Sequence, residues 1–312
     1  MLPQDSALGF FRKMIRPFGL YIFFQLLIIA FWAFDLSFRP YLVKLMLDHV
    51  ATVATNPDHL QWLFVLMCVY VGMSFFVGLI FRVYNYLNLI IRPGLKAAVG
   101  QYVVQKLLKH SQQFYHDHLP GNIVNKIKEL TTGVPELLDL LVDRLLPTFL
   151  TVVIALVFLS SVHVNFAIGL IVWITLYLSG SLYSTQYAQM FSREVAERRS
   201  ELSGYYVDLF TNILTVRLFS AYQTEQLLTQ EKLSLFTRAE RSKDLFFMKL
   251  FFFQSISFTC YQVISLYFLY QGIANQTFSV GDFTLILSIN IEVIQVLWLF
   301  SRDIGEFATH IG

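Results

Sequence analysis

Charged residues are scarce in this chain. Only 14% of its 312 residues are Asp, Glu, Lys or Arg, against about 25% in soluble globular proteins, and 56% are hydrophobic. The two cysteines, Cys68 and Cys260, both lie in long apolar runs, so we expect neither a structural disulfide nor redox chemistry. The sequence also lacks a phosphate loop of the GxxxxGK[ST] kind and the metal-ligand spacings CxxC and HExxH. We therefore predict a membrane protein without a catalytic, metal-binding or ATP-binding motif.

The apolar runs are long enough to cross a membrane. A transmembrane helix needs about 20 apolar residues, and the uncharged run over 145–192 is long enough for two, with a polar turn at 160–165 between them. The chain is predicted to be an all-α membrane protein with an N-terminal elbow helix at 8–17. Its six transmembrane helices are predicted over residues 18–48, 60–91, 122–161, 165–216, 236–274 and 281–312.

Basic residues are sorted to one side of these predicted spans. Segments 49–61, 162–165 and 271–282 contain no Lys or Arg, whereas 92–128 and 193–249 contain many. By the positive-inside rule both termini are predicted to be cytoplasmic, in a multi-pass protein of the plasma or bacterial inner membrane. A cleaved signal peptide is the alternative for the first run, but no small-residue cleavage site follows it.

The two long cytoplasmic segments have the spacing of packed helices. Apolar residues recur at steps of three and four in each, which predicts helices that pack on helices and extend the membrane spans as a stalk. The predicted turning points of the two hairpins are 111–122 and 220–224. The two apolar stripes consist of Ile123, Ile127, Leu130, Val134, Leu137 and Leu141, and of Val195, Leu202, Tyr206, Leu209, Ile213 and Val216.

Four stretches resemble motifs of the transmembrane domain of ABC exporters, the six-helix type IV fold. PYLVKLMLD at 40–48 is similar to the end of the family's first span, and FYHDHLPGNIVNK at 114–126 to its first hairpin. DLFTNILTVRLFSAYQTE at 208–225 resembles the second hairpin, with Asn212 in place of a usual Gly and Asp208 in place of a usual Glu. GDF at 281–283 resembles the opening of the sixth span. The stretches occur in the family's order and cover nearly the whole chain.

The resemblance implies a function and a set of partners. Two such domains pair as a homo- or heterodimer, and ATP-binding domains carrying ATP and Mg²⁺ dock on the hairpin tips and drive export by alternating access. The chain ends at Gly312, about where the family's linker to the ATP-binding domain begins. We expect that domain on a separate polypeptide or in a longer form of the protein, so the enzymatic classification stays open. Membrane lipid is an expected partner and nucleic acid is not.

Exposed aromatic residues are predicted to make the contacts at the hairpin tips. An apolar anchor with a polar rim is typical of docking surfaces, although a solvated turn is the simpler interpretation. The predicted coupling residues are Phe114, Tyr115 and His116 on the first tip, and Tyr222, Gln223, Thr224 and Glu225 on the second.

Ionisable residues inside the spans are the remaining candidates, because charges in the bilayer are costly. Asp35 with Arg39, and Lys44 with Asp48, have the i,i+4 spacing of local ion pairs. Six polar residues of the second and sixth spans are predicted to line a translocation cavity, with a Glu292–Arg82 contact as the alternative. These cavity candidates are Arg82, Asn85, Asn88, Asn290, Glu292 and Gln295.

Export of an amphipathic or lipid-like substrate is the function that the sequence favours. A six-span channel or an ion-coupled secondary transporter is the alternative, with Asp35, Arg82 and Glu292 as a relay. That class expects broken helices at mid-membrane and usually an inverted repeat, and neither is visible here. A receptor or regulator with the same fold that transports nothing is a third possibility.

Overall fold

The computed structural model describes the backbone of residues 7–53, 59–117 and 120–311, and the side chains of 9–51, 60–115, 121 and 123–300. The predicted all-α membrane fold is confirmed in this part, where six helices are long and apolar enough to cross a membrane. A 3₁₀ turn at Arg16–Phe18 follows the elbow helix, and a π-helix at Leu140–Leu145 joins α5 to α6. The α-helices are α1 Ala7–Ile15, α2 Gly19–Val53, α3 His59–Leu107, α4 Gln112–Asp117, α5 Pro120–Asp139, α6 Leu146–Val162, α7 Val164–Thr211, α8 Ile213–Leu218, α9 Tyr222–Ala274 and α10 Val280–Ile311.

The long helices continue well beyond a bilayer. Helices α3, α7 and α9 have 49, 48 and 53 residues, more than twice the about 20 that cross the hydrocarbon core. Helix α3 therefore runs on past the predicted span limit of 91 to Leu107, and α9 begins at Tyr222 instead of 236. These extensions form the arms of the two hairpins.

The chain divides into two compact units. The first consists of residues 1–162 and 278–296. In it α2 packs against α3 and α6, and α3 packs against α5. An ionic network supports the α3–α5 packing: the Arg92 guanidinium lies 3.2 Å from Asp139 and 3.3 Å from Asp143, and the Tyr84 hydroxyl donates to Asp143.

The first predicted stripe is buried with one change of register. Val134 is buried and the earlier stripe residues of α5 are half-buried, but Leu141 is 39% exposed. Leu138 and Val142 are buried there instead. Leu141 and Val142 lie in the π-helix at Leu140–Leu145, whose wider turn rotates the side chains about the helix axis, so the buried face shifts by one residue at the end of the stripe.

The second unit consists of residues 163–277 and 297–312, and is built on α7 packed along α9. The Trp173 ring stacks on Tyr261 with 5.5 Å between ring centroids, and its Nε1 donates to Ser257 Oγ at 3.1 Å. Further along the second stripe, Val195 and Leu202 of α7 and Val216 of α8 are buried. The predicted packed face of this hairpin is therefore present.

Candidate functional site

The second hairpin tip, residues 212–225, has a different backbone from the predicted one. The sequence TNILTVRL was expected to continue the helix from the fourth span, but α7 ends at Thr211 and the separate short helix α8 follows. Asn212 lies at the break, with φ −99° and ψ 17°, and its side-chain Nδ2 donates to the Asp208 carbonyl at 3.0 Å. Asn competes with the helix for backbone hydrogen bonds, which explains the interruption.

Helix α8 ends in a Schellman motif. The amide of Ser220 donates to Arg217 O at 3.2 Å and that of Ala221 to Val216 O at 3.0 Å, the two bonds that define this C-terminal cap. Ser220 occupies the left-handed position with φ 51°, where Gly is usual. The cap turns the chain sharply, so that α9 can start at Tyr222.

The second tip exposes several large apolar side chains, which we call the apolar tip. Tyr222 was predicted to lie on this surface, and it is 57% exposed. Sequence reasoning missed the other members, although adjacent Leu and Phe in a polar hairpin are a visible signal. The apolar tip consists of Leu214, Leu218, Phe219 and Tyr222, with Leu218 and Phe219 exposed by 82% and 79%.

The other predicted residues of this tip divide into two kinds. Gln223 and Thr224 are exposed beside Tyr222. Glu225 is only half-buried, but its carboxylate is already engaged: the Tyr205 hydroxyl of α7 lies 2.8 Å from Glu225 Oε2 and 3.0 Å from its carbonyl oxygen. Thr229 Oγ1 is 3.2 Å from the same hydroxyl. Glu225 therefore ties α9 to α7 and holds the hairpin closed behind the tip.

Replacing Tyr205 with Phe is expected to loosen the second tip without unfolding the protein. The change removes one hydroxyl that bonds to Glu225 and Thr229 and keeps the ring. Loss of a hydrogen bond of this kind costs about 1 kcal/mol, so amide exchange across residues 213–225 should accelerate by about fivefold if it proceeds through tip opening. Hydrogen–deuterium exchange mass spectrometry measures it.

Tyr206→Phe is the matched control for this experiment. Tyr206 neighbours Tyr205 on α7 and is also half-buried, with 6.1 Å between the ring centroids. Equal exchange rates in the two variants would contradict the role given to the Tyr205 hydroxyl.

The first hairpin tip is the short helix α4. Tyr115 is 40% exposed, and its hydroxyl donates to the Leu107 carbonyl at 2.6 Å. Phe114 is half-buried and stacks on His110 with 4.5 Å between ring centroids. The side chain of His116 lies outside the described residues. Of the two described aromatic candidates, Tyr115 thus presents the more accessible surface.

The six cavity candidates are not brought to one place by the described contacts. Arg82, Asn85 and Gln295 are exposed. Asn88 accepts a hydrogen bond from the buried Gln25 Nε2 at 2.6 Å, which links α3 to α2. Asn290 is buried, with 1% exposure.

Glu292 has different neighbours from those predicted. It is half-buried, and its charge interacts with those of Asp35 and Arg39. The alternative pairing of Glu292 with Arg82 is not among the ion pairs of the described residues, where Arg82 is exposed. The structure thus groups Asp35, Arg39 and Glu292.

One of the two predicted local ion pairs is present, and Lys44 of the other binds a carboxylate on another helix. Arg39 Nε lies 2.6 Å from Asp35 Oδ2. The predicted pair of Lys44 with Asp48 is not among the ion pairs of the described residues, where Lys44 Nζ lies 2.5 Å from Asp282 Oδ1 of α10 and Asp48 Oδ1 accepts from the Gly281 amide at 3.2 Å. Packing of α10 on α2 at Gly281 brings a carboxylate to Lys44 that sequence spacing cannot reveal.

Comparison with known proteins gives a family match and a distant relative. Residues 18–296 match the model of a protein family described as the ABC transporter transmembrane region. A stretch of 102 residues is 30% identical to ATP-binding cassette sub-family B member 6 of Xenopus tropicalis. That stretch covers 32% of this chain and 12% of the relative.

Proposed function

The chain belongs to the family of ABC transporter transmembrane regions, and from this premise we propose that it is the membrane part of an ATP-driven exporter. It would move an amphipathic or lipid-like substrate by alternating access. It would pair with a second transmembrane domain and with ATP-binding domains, which hold ATP and Mg²⁺. Its hairpins would then face the cytoplasm, as the distribution of Lys and Arg indicates.

The apolar tip is the observation that best supports this proposal. Leu218 and Phe219 are 82% and 79% exposed. Large apolar patches at a surface mark interaction sites, and an isolated solvated turn would gain nothing from such exposure. The tip is also held rigidly, by the cap at Ser220 on one side and the Tyr205–Glu225 bond on the other. The apolar tip lies at the end of two long packed helices. A domain docked on it could therefore transmit its motion along these helices.

The ion-driven alternative has weaker support. Of the three residues predicted for its relay, Arg82 is exposed and Asp35 is paired with Arg39. The three longest helices also run without a break through the apolar segments of the chain, whereas ion-coupled transporters typically place discontinuous helices at the binding site.

Lipid transport in proteoliposomes tests the proposal. The chain would be purified with the ATP-binding domain that it carries or partners, and reconstituted with a fluorescent phospholipid. Accessibility of the fluorophore to dithionite then reports movement between leaflets. We expect movement to require ATP and Mg²⁺ and to persist when a protonophore collapses the ion gradient. Movement that needs the gradient and not ATP would instead support the ion-driven alternative.

A further inference from the structure

Two lysine side chains from different helices meet at one tyrosine ring. Lys13 Nζ of the elbow helix α1 lies 4.8 Å from the centroid of the Tyr102 ring of α3, and Lys106 Nζ of α3 lies 5.7 Å from it. Both distances are within the about 6 Å at which a ring attracts a cation. The Phe10 ring of α1 packs on Tyr102 as well, with 5.5 Å between the centroids. The contact of α1 with α3 therefore gathers two positive charges at one place.

No carboxylate balances these two charges in the described part of the chain. Lys13 and Lys106 are exposed and make no ion pair there. Helices α1 and α3 and the 3₁₀ turn after α1 contain no Asp or Glu at all. Two ammonium groups beside one ring repel each other, because like charges at short range raise the energy. An anion bound between them would remove this repulsion.

The Tyr102 hydroxyl also lacks a partner. Its oxygen is buried and makes no hydrogen bond among the residues that the structure describes, although buried hydroxyl groups are nearly always hydrogen-bonded. The two lysines cannot supply an acceptor, since an ammonium group only donates. Their side chains are long and flexible, so an anion held between them can come within reach of the hydroxyl. A phosphate group offers both the negative charge and the acceptor oxygens that are missing.

The lysines lie close to the membrane part of α2. The uncharged run that leads into this helix begins at Pro17, four residues after Lys13, which is no more than about 6 Å along a helix. The polar layer on each side of the hydrocarbon core is about 5–7 Å thick. Lys106 is one turn beyond Tyr102 on α3, and helical side chains point back toward the N-terminus of their helix. Both ammonium groups are therefore expected at the depth of the lipid headgroups.

The start of α2 offers an apolar surface to the rest of a lipid. Leu20, Phe23 and Phe24 follow the elbow and are exposed by 67%, 54% and 48%. On the other side of the elbow, Met14 is buried in the core that α1 shares with α3. A phospholipid contacts the lysines with its phosphate and the exposed face of α2 with its acyl chains. A free phosphate ion would contact the lysines only, so the arrangement fits a lipid better.

We propose that Lys13, Lys106 and Tyr102 form a site for the phosphate of an anionic phospholipid. The two ammonium groups pair with the phosphate oxygens, and the Tyr102 hydroxyl donates to one of them. Arg12 and Arg16 are exposed on the same elbow and increase the attraction, because clustered basic residues beside a membrane helix bind anionic lipids. The bound lipid ties α1 to α3. This binding requires neither ATP nor the proposed export function.

Native mass spectrometry of the full protein in detergent, without ATP, tests the site. Phosphatidylglycerol and phosphatidylcholine with the same acyl chains would be titrated separately, since both contain the phosphate and only the first has a net negative charge. We expect phosphatidylglycerol to bind about tenfold or more tightly than phosphatidylcholine, because each nearby basic residue contributes roughly fivefold to the affinity for anionic lipid. Inorganic phosphate at the same concentration as the lipid should not displace it.

Substitutions locate the site. The double variant Lys13→Gln with Lys106→Gln should weaken phosphatidylglycerol binding by about tenfold or more. Tyr102→Phe keeps the ring and should weaken binding by about fivefold, the effect of one hydrogen bond. Its thermal stability should be unchanged or higher, since the buried hydroxyl has no partner to lose. Lys128→Gln is the control, because it removes the same charge from an exposed position of α5 and should leave the affinity unchanged.

Four outcomes would contradict the inference. Equal affinity for the two lipids would show that the negative charge is not recognised, and displacement by inorganic phosphate would indicate a site for the free ion. Full affinity in the double lysine variant would place the lipid elsewhere, and full affinity in Tyr102→Phe would remove the hydroxyl from the site. Because the titration contains no ATP, failure of ATP-driven transport would not alter its result. Conversely, loss of the lipid site would leave the exporter proposal intact.

Discussion

Gly281→Ala is expected to destabilise the protein by about 1–3 kcal/mol, the cost of overpacking a close contact. A Cβ atom at this position would lie 2.5 Å from the Lys44 carbonyl oxygen and 2.5 Å from Asp48 Oδ1. The Lys44 carbonyl oxygen is a backbone atom and cannot rotate away, so α10 and α2 would have to separate. That movement would stretch the Lys44–Asp282 ion pair and the Asp48–Gly281 hydrogen bond together.

The measurement is the temperature at which half of the detergent-solubilised protein is lost from the monodisperse peak in size-exclusion chromatography. Gly72→Ala is the matched control, because Gly72 is also helical and a Cβ there would meet nothing within 4 Å. Ala is favoured over Gly within a helix, so the control should be neutral or slightly stabilised. If both variants melted at the same temperature, the close approach of α2 and α10 would not contribute to stability.

Phe219→Asp is expected to abolish ATP-driven transport while leaving the folded protein intact. Phe219 is 79% exposed and belongs to the apolar tip. A charge there should cost little in the isolated chain, because surface substitutions are usually nearly neutral. In a docked complex it would be buried without a partner, and the loss of an anchor residue costs about 2 kcal/mol or more, roughly 30-fold in affinity.

Docking and transport are measured by two separate experiments. Co-purification of the ATP-binding domain with the tagged chain should fall in Phe219→Asp, and lipid movement in proteoliposomes should fall with it. Tyr222→Asp should act in the same direction, since Tyr222 belongs to the same surface. Gln230→Asp places the same charge at an exposed position of α9 beyond the tip, and it should retain both activities. Full coupling in Phe219→Asp would rule out the apolar tip as the docking surface.

The contrast between the two hairpin tips shows what sequence patterns can and cannot predict about exposed residues. Both tips were predicted from their aromatic residues, yet Phe114 packs on His110 while Phe219, which was not among the predicted coupling residues, is open to solvent. Residue type alone cannot distinguish these cases, because exposure depends on the path of the backbone. At the second tip that path is decided by the break at Asn212 and the cap at Ser220.

Features that involve only a single helix could be predicted from the sequence itself. The scarcity of charge and the length of the apolar runs specify six membrane helices, since an unpaired backbone or charge in hydrocarbon is costly. The three- and four-residue spacing specifies the packed faces of the hairpins. The Asp35–Arg39 pair follows in the same way, because residues four apart always lie on one helical face.

Properties that depend on where one helix meets another were decided only by the tertiary structure. Lys44 has a carboxylate four residues away, but it binds Asp282 because α10 approaches α2 closely at Gly281. The charge of Glu292 on α10 likewise interacts with those of Asp35 and Arg39 on α2. Spacing along the chain fixes the neighbours within a helix, whereas the partner of a side chain across an interface is selected by packing.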